Sequence, residues 1–478
     1  MNPVHNQTNS FYFIGLAGVG MSAIAQYLNG KSFKTGGSDR VFNKNSPPLI
    51  QKQLEALGIE CFLQDASGLK NYSCVVVSSA IEDTNKDLIE AKKMGLSIYH
   101  RSEILSYISE TTKTIAVSGT SGKSTVTAMI YHILDYANLF PSLITGAPLV
   151  SLEKKGEIGN AVSNFGEWLV IEADESDGTL ARYAPDIGLI LNIEKDHKET
   201  PELLEIFKSF ADNIKKKKGI LIVNDANDHA KSLSMGRHLD FGNENHIAVQ
   251  GTDLRVHGHK ISFRVRYQAS LVRFELNMPG KHNMENALAA STVALQIGVP
   301  IELISEALSS FSGIDRRHQV LGVFSGVTLM DDFAHNPAKI EASLKSVQAF
   351  TEGRVIAYFQ PHGYGPTRFL RQDFVSTFNK TLRKASTDIE NDCVFFSEIY
   401  YAGGTAKKDV SSADLVDDLL ELGVEAYFFE DRKDAALKMV EMAKAEDTIL
   451  LMGARDPSLS SFAKEVQGLL ENKSKNKV

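Results

Sequence analysis

Thr114-Ile-Ala-Val-Ser-Gly-Thr-Ser-Gly-Lys-Ser-Thr125 is the stretch that decides the fold. Thr114 to Ser118 is a short apolar run ending at a glycine, as a buried parallel strand does, and Thr125 to Tyr136 carries helical spacing. Strand, glycine turn and helix in that order open a βα unit, whose helix N-terminus offers unpaired N–H groups and a positive dipole end to an anion. The loop reads GxxGKS, shorter than GxxxxGK[ST], because the residue five before Gly122 is Val117. The chemistry is still that of a phosphate cradle: glycines turn backbone N–H groups toward the anion, Lys123 supplies a point charge to β and γ phosphates, and Ser124 can hold a magnesium ion. The expected contacts are Gly119, Thr120, Ser121, Gly122, Lys123, Ser124 and Thr125; the bland alternative is a glycine turn with a surface lysine.

Working outward, Glu172-Ala-Asp-Glu-Ser-Asp177 follows the apolar run Trp168 to Ile171, and Asn192-Ile-Glu-Lys-Asp-His197 follows Ile187 to Leu191. The ends of neighbouring parallel strands converge, so Ser124, Glu172 and His197 are the candidate ligands of a divalent ion beside the phosphates. Imidazole is softer than magnesium prefers, so His197 is expected to act partly through water. Gly219 to Val223 adds a strand, and the alternation of Ile261-Ser-Phe-Arg-Val-Arg-Tyr267 within His246 to Leu276 predicts antiparallel strands with one wet face. Helical stretches at Met284 to Gln296 and Ile301 to Phe311 close this unit near Gly313.

The N-terminal segment shows the same rhythm, with strands at Phe11 to Gly15, Lys34 to Asp39, Cys74 to Ser78 and Leu96 to Tyr99, and helices at Met21 to Leu28 and Asp87 to Met94. Its glycine loop, Gly15-Leu-Ala-Gly-Val-Gly20, is GxxGxG and not the GxGxxG dinucleotide fingerprint. It would seat a diphosphate at the helix start and let Ser38 or Asp39 meet a ribose or base; a tight turn with no ligand is the alternative. Ser109 to Lys113 reads as a linker. From Val327 to Met330, Arg354 to Phe359, Val394 to Ser397, Ala426 to Phe429 and Thr448 to Met452 a second parallel sheet is expected, and the polar tail from Glu471 to Val478 is expected to fray.

Length and charge agree with this division. At roughly 100 to 200 residues per domain, 478 residues give about three domains. The expected fold is α/β with three domains: Rossmann-like over 1–110, a central mixed α/β domain of phosphate-loop ATPase type over 111–314, and a second Rossmann-like domain over 315–478. A net charge of −8 lacks the broad positive field that nucleic-acid binding needs. Cys61, Cys74 and Cys393 are too few for a disulfide framework, and neither a signal peptide nor an apolar span of membrane length is present, so a cytoplasmic protein without a membrane partner is expected. Nothing in the pattern fixes an oligomeric state.

Taken in order, Ile14-Gly-Leu-Ala-Gly-Val-Gly-Met-Ser22, Gly37-Ser-Asp39, Val76-Val-Ser-Ser-Ala-Ile81, the phosphate loop, Glu172 to Asp177, Asn192 to His197, Gly280-Lys-His-Asn-Met-Glu-Asn-Ala287, Asp315-Arg-Arg317, Asp331-Asp-Phe-Ala-His335 and Gln360-Pro-His362 resemble the Mur ligases over almost the whole chain. The resemblance implies an ATP- and Mg²⁺-dependent, ADP-forming ligase of peptidoglycan precursor synthesis. It would join an amino acid, L-alanine by resemblance, or a short peptide to the carboxylate of UDP-N-acetylmuramate through an acyl phosphate. The first domain would hold the UDP-sugar, the second ATP, and the third would present the amine. By the same resemblance Lys123, Glu172, His197, Arg316 and Arg317 are catalytic, with one of the two arginines as a phosphate clamp. His282, Asn283, Asn286 and Asp332 contact ATP, while Gly15, Gly18, Gly20, Ser38, Asp39, Ser78, His335, His362 and Arg368 bind substrates.

The chain departs from the family at its acceptor motif. Members that add alanine read Gln-Pro-His-Arg-Tyr-Thr-Arg-Thr-Arg, where this chain reads Gln360-Pro-His-Gly-Tyr-Gly-Pro-Thr-Arg368. Glycine and proline cannot supply the fork of N–H donors that two arginines offer a carboxylate. Arg368 or Arg371 could compensate, or the pocket could serve a peptide, as in the related recycling ligase. Ser121, Phe333, Asn336 and Arg455 also replace the usual residues. A non-catalytic nucleotide-binding protein that kept the fold, and a nicotinamide dehydrogenase resting on the first glycine loop alone, are the readings of other classes.

Overall fold

The computed structural model describes residues 10–175, 178–194, 200–385, 390–401 and 407–475. The chain forms two compact units: Met1–Leu254, Phe263–Leu276 and Met284–Asp315 make the first, and Arg255–Ser262, Asn277–Asn283 and Arg316–Val478 the second.

The first unit holds two doubly wound sheets. One is five-stranded and parallel, in the order Glu60–Phe62, Lys34–Ser38, Ser10–Ile14, Cys74–Val77, Ser97–His100. Its central strand is an unbroken apolar run, Phe11 to Ile14, because helices cover both faces. The neighbouring strand passes so close that a Cβ on Gly37 would lie 2.1 Å from the Phe13 carbonyl oxygen, which only glycine tolerates. The other sheet orders Ile220–Val223, Ile187–Ile190, Thr114–Ser118, Leu169–Glu172, Ser142–Ile144 and Ala161–Val162, with only the last strand antiparallel. Thr114–Ser118 therefore lies between the two strands whose ends carry Glu172 and Asn192, as the sequence predicts.

These two sheets share one apolar cluster, in which Phe11, Phe13 and Leu28 belong with Ala116, Ile144 and Leu169. Asn160, 1% exposed, rivets the helix Val19–Gly30 to the central sheet's edge: its Nδ2 donates to Val19 O at 2.7 Å and Ser22 Oγ at 2.9 Å, and its Oδ1 accepts from Gln26 Nε2 at 2.8 Å. The linker expected at Ser109 to Lys113 is mostly helix, since Arg101–Thr111 runs through it and the Ser109 hydroxyl donates to Ser106 O at 2.7 Å. Serines and threonines that look like loop can close helical hydrogen bonds instead.

In the second unit the sheet order is Gln319–Phe324, Val327–Asp332, Thr448–Gly453, Val355–Gln360, Cys393–Ser397, Glu425–Phe429; the first pair is antiparallel and the rest parallel. Apolar clusters coat both faces, one around Leu344, Phe359 and Phe378, the other around Tyr358, Phe395 and Phe462. Of the tail expected to fray, Glu471 to Lys475 instead ends the helix Leu459–Lys475, where Lys473 Nζ donates to Val440 O at 2.6 Å and Ala443 O at 2.8 Å, and residues 476–478 lie outside the described residues. The alternating segment forms Val249–His257, Lys260–Tyr267 and Ser270–Leu276, neighbours in a four-stranded sheet begun by Phe241–Gly242. Among the described residues no helix is long and apolar enough to cross a membrane.

Under the first sheet Asp87 is fully buried, and its carboxylate accepts from the Tyr12 hydroxyl at 2.9 Å, the Ala66 N–H at 2.9 Å and the Ser38 hydroxyl. Burial, with Asp87 alongside, pushes the Tyr12 phenol well above its usual range. Replacing Asp87 with alanine strands two buried hydroxyl donors and the half-buried Ala66 N–H, so Asp87→Ala is expected to lower the unfolding free energy by about 3 kcal/mol or more. A urea titration reads this directly, and a loss below about 1 kcal/mol would contradict it.

Candidate active site

The loop after Thr114–Ser118 joins two positive-φ glycines to a helix start. Gly119 (φ +141°) and Gly122 (φ +88°) take conformations that side chains avoid, and a Cβ on them would lie 2.9 Å from Leu191 Cβ and 2.7 Å from Asn286 Oδ1. Asn192 shapes the loop from the neighbouring strand end: its carbonyl accepts the Thr120 N–H at 3.0 Å, its Oδ1 accepts the Ser121 N–H at 2.8 Å, and its Nδ2 donates to Ser121 O at 3.1 Å. The Thr120 hydroxyl accepts the Glu194 N–H at 2.9 Å. Two loop N–H groups are thus spent on the loop's shape. The first turn of helix Lys123–Tyr136, with Lys123, Ser124 and Thr125, has no carbonyl within the helix to bond and remains to face an anion.

Lys123 is 12% exposed in its side chain. Its ammonium donates to Gly119 O at 2.7 Å and Glu175 Oε2 at 2.8 Å, and stands 3.6 Å from Asp174 Oδ1. Burial alone would lower its pKa, but Glu175 and Asp174 outweigh that and hold it raised and charged. Glu175 is itself pushed up by burial, against the pull of Lys123. Glu172, at its strand's end, accepts from the Gly146 N–H at 2.9 Å and the Thr145 hydroxyl at 3.2 Å. Glu172, Asp174 and Glu175 give Lys123 a shell of hard oxygen donors, the kind magnesium takes. Among the described residues no three His, Cys, Asp or Glu side chains are already arranged as a metal cage. His197, expected as a ligand, lies outside the described residues.

At the first glycine loop, Gly15 has φ +87° and its N–H donates to Ser38 O at 2.8 Å. Asp39 braces the loop, its carboxylate accepting the Ala17 N–H at 2.9 Å and the Val41 N–H at 3.2 Å. Gly18 N–H closes the turn onto Gly15 O at 3.1 Å, and the half-buried Ser78 accepts the Ile81 N–H at 3.1 Å. Ser38 is corrected: it is fully buried, its hydroxyl goes to Asp87 and its carbonyl to Gly15 and Leu16, so no face is left for a ligand. The sequence missed Arg101, whose Nη1 lies 3.3 Å from where a Cβ on Gly20 would stand, bringing a cation to this helix start.

In the second unit the strand ends gather the other expected residues. Arg316 is corrected as the phosphate clamp: buried, its guanidinium grips Asp331 at 3.1 and 3.2 Å, Gly453 O at 2.7 Å and Ala454 O at 3.2 Å. Arg317 is half-buried, its guanidinium 5.1 Å from the Phe333 ring centre. Asp332 accepts the Ser343 hydroxyl at 2.6 Å and has His318 Nδ1 at 3.4 Å, and the His318 ring lies 5.4 Å from that of His282. Asn283 is 2% exposed and donates to Pro279 O at 2.7 Å, while Asn286, in the first unit, packs on Gly122.

His335 Nδ1 pairs with Phe333 O at 2.8 Å, and its ring stands 5.5 Å from that of His362. Burial, with Lys339, Arg317 and Arg455 nearby, holds His335 below the usual imidazole range. Of the two arginines that could compensate for the missing ones, Arg368 is paired with Asp409, and Arg371 with Asp418 at 2.7 and 2.8 Å. Gly363 has φ +73° and starts the helix Tyr364–Phe369, a backbone set for glycine in which an arginine would be strained.

Comparison with known proteins gives the class first. Residues 10–113 match the Mur ligase family, catalytic domain, residues 117–294 the Mur ligase middle domain, and residues 316–455 the Mur ligase, glutamate ligase domain. The chain belongs to the Mur ligase family. Its relatives include the "UDP-N-acetylmuramate--L-alanine ligase" of Pelotomaculum thermopropionicum, 33% identical over 456 residues, covering 93% of this chain and 94% of that protein. Another is the enzyme of the same name from Jannaschia sp., 34% identical over 463 residues, covering 94% and 93%. The solved UDP-N-acetylmuramate-alanine ligase of Thermotoga maritima has the same fold, with TM-score 0.75, 23% identity and coverage of 98% and 99%. The murein peptide ligase of Psychrobacter arcticus follows with TM-score 0.64, 20% identity and coverage of 97% and 99%.

Burial, His335 and Arg455 together depress His362 to about 4. The folded ring stays neutral while the unfolded one takes a proton near pH 6.5, so its share of stability is whole above 6.5 and is lost as pH falls toward 4. An NMR titration of the His362 ring should give a midpoint near 4; a midpoint near 6.5 would show the ring in open water.

Proposed function

We propose that this chain is an ATP-dependent, ADP-forming ligase that joins the amino group of an amino acid to the carboxylate of UDP-N-acetylmuramate. The relatives' names put L-alanine in the acceptor's place. The supporting observation is the Gly119–Ser124 loop, with its glycine-only backbone and a buried, charged Lys123 at the start of a helix. The sugar's carboxylate oxygen attacks the γ-phosphorus of ATP, the bond to the β-phosphate oxygen breaks, and ADP leaves an acyl phosphate. The amine nitrogen then attacks the acyl carbon, inorganic phosphate departs, and the amine's proton passes to solvent.

Phosphoryl transfer of this kind needs positioning and charge neutralisation more than covalent help. Lys123 would exchange its carboxylate partners for the γ-phosphate. Ser124 and Glu172, with His197, would hold magnesium, which when bound screens the triphosphate's charge. Arg317, and not the buried Arg316, is left as the arginine for phosphate. We assign residues 1–110 to the UDP-sugar, with Arg101 at its glycine loop, 111–314 to ATP, and 315–478 to the amine, and place the reaction in the cytoplasm as a step toward peptidoglycan.

The test is incubation with ATP, magnesium, UDP-N-acetylmuramate and pooled amino acids. ADP release should require both the sugar nucleotide and an amine, and the sugar nucleotide should gain the mass of an acceptor less one water. Lys123→Met, which keeps the side chain's bulk, should lose about 100-fold or more in turnover; undiminished turnover would remove the reading.

A further inference from the structure

A pocket of about 540 Å³ opens at the carboxyl ends of Val355–Gln360, Cys393–Ser397 and Glu425–Phe429 in the second unit. It adjoins the altered acceptor motif Gln360 to Arg368, because the Gly363 N–H donates to Tyr400 O at 2.8 Å and the Tyr400 N–H to Pro361 O at 2.9 Å. Glu398, Glu430, Asp431 and Asp456 line it beside Gln360, Tyr400 and one cation, Arg432, so that the carboxylates outnumber the guanidinium. Asp456 is spent on Arg432 Nη1 at 2.9 Å, and Asp431 caps the following helix through the Lys433 N–H at 2.9 Å. Glu398 and Glu430 are exposed and enter no ion pair among the described residues.

Gln360 supplies an independent sign. The residue is 7% exposed and lines the pocket, and its Oε1 has no hydrogen-bond partner among the described residues. An amide oxygen only accepts, so what this buried atom lacks is a donor. Carboxylates and an unmet amide oxygen together ask for N–H groups bearing positive charge, while the apolar walls of Ile399 and Tyr400 suit a short alkyl stem. A metal ion is the poorer occupant, since among the described residues no three acidic or imidazole side chains are gathered to hold one.

We infer that this pocket receives a second ammonium group of the acceptor, so that the chain prefers a basic amino acid of the lysine or ornithine class to alanine. The inference rests on the ligase reading above and narrows its acceptor. Glu398, Glu430 and Gln360 are the specificity-determining residues. The acceptor's own carboxylate still needs a cation now that Gly363 and Pro366 stand where the family has arginines. Arg455 is exposed at the end of the adjoining strand Thr448–Gly453, and its charge reaches both His335 and His362.

The experiment compares L-lysine, L-ornithine, L-norleucine and L-alanine as single acceptors with the full chain, ATP, magnesium and UDP-N-acetylmuramate, reading kcat/KM and product mass. Norleucine has lysine's length without its charge. Lysine or ornithine should exceed norleucine and alanine by about threefold or more, the scale of an ion pair made with exposed carboxylates. Glu398→Gln and Glu430→Gln should bring the lysine-to-norleucine ratio toward one, mainly through KM. Amide formed with alanine or norleucine at least as well as with lysine overturns this inference and leaves the ligase standing. No amide with any amino acid overturns the ligase reading instead. Calorimetric titration with 1,5-diaminopentane against pentylamine then decides the pocket by itself: tighter diamine binding that Glu398→Gln weakens supports it, and equal binding overturns it.

Discussion

Lys123 holds a positive charge in a nearly closed environment, and the first unit is arranged around the cost of doing so. A buried ammonium is tolerable only when paired and hydrogen-bonded, and here Glu175, Asp174 and the Gly119 carbonyl surround it. That requires the glycine loop to bend back over the lysine, the adjacent strand to end in carboxylates, and Asn192 on the other side to fix the loop's path. A site so poised has a stored exchange: a polyanion arriving at the helix start can take the lysine from Glu175 and release that carboxylate toward a hard cation.

The second unit sorts its charges differently. At the ends of its parallel strands two imidazoles are kept neutral by burial and by Arg317, Lys339 and Arg455. Next to them the ends of Cys393–Ser397 and Glu425–Phe429 carry Glu398 and Glu430. Cationic and anionic ground side by side is what an amino acid with a charged side chain would meet, one end on each. The lost arginines are part of this arrangement, because the positive φ at Gly363 sets the backbone for a turn and not for a long side chain.

Much of the fold was legible because its signals are local. Strand, glycine and helix succeed one another within a dozen residues around Gly119, and the apolar runs at Phe11, Ile187 and Ile449 leave little choice about burial. Within the run Glu172 to Asp177, which carboxylate meets Lys123 depends on how the strand end turns, so Glu175 was not singled out. Ser38 misled because a serine beside a glycine loop looks like a ligand contact, whereas its side chain faces Asp87 beneath the sheet. Of the pair Arg316 and Arg317, only the fold shows which one is tied down. Arg101 carries no motif, and Arg455 stands out in the sequence only as a departure from the usual residue; each becomes relevant through a neighbour distant in sequence.

The central claim is that the Gly119–Ser124 loop grips a triphosphate through Lys123. A crystal structure of the full chain with magnesium and a non-hydrolysable ATP analogue tests it most directly. The account predicts the γ-phosphate within hydrogen-bonding distance of Lys123 Nζ, at the start of helix Lys123–Tyr136, with the Lys123–Glu175 contact of 2.8 Å opened. A nucleotide bound elsewhere, with Lys123 still closed on Glu175, would contradict it.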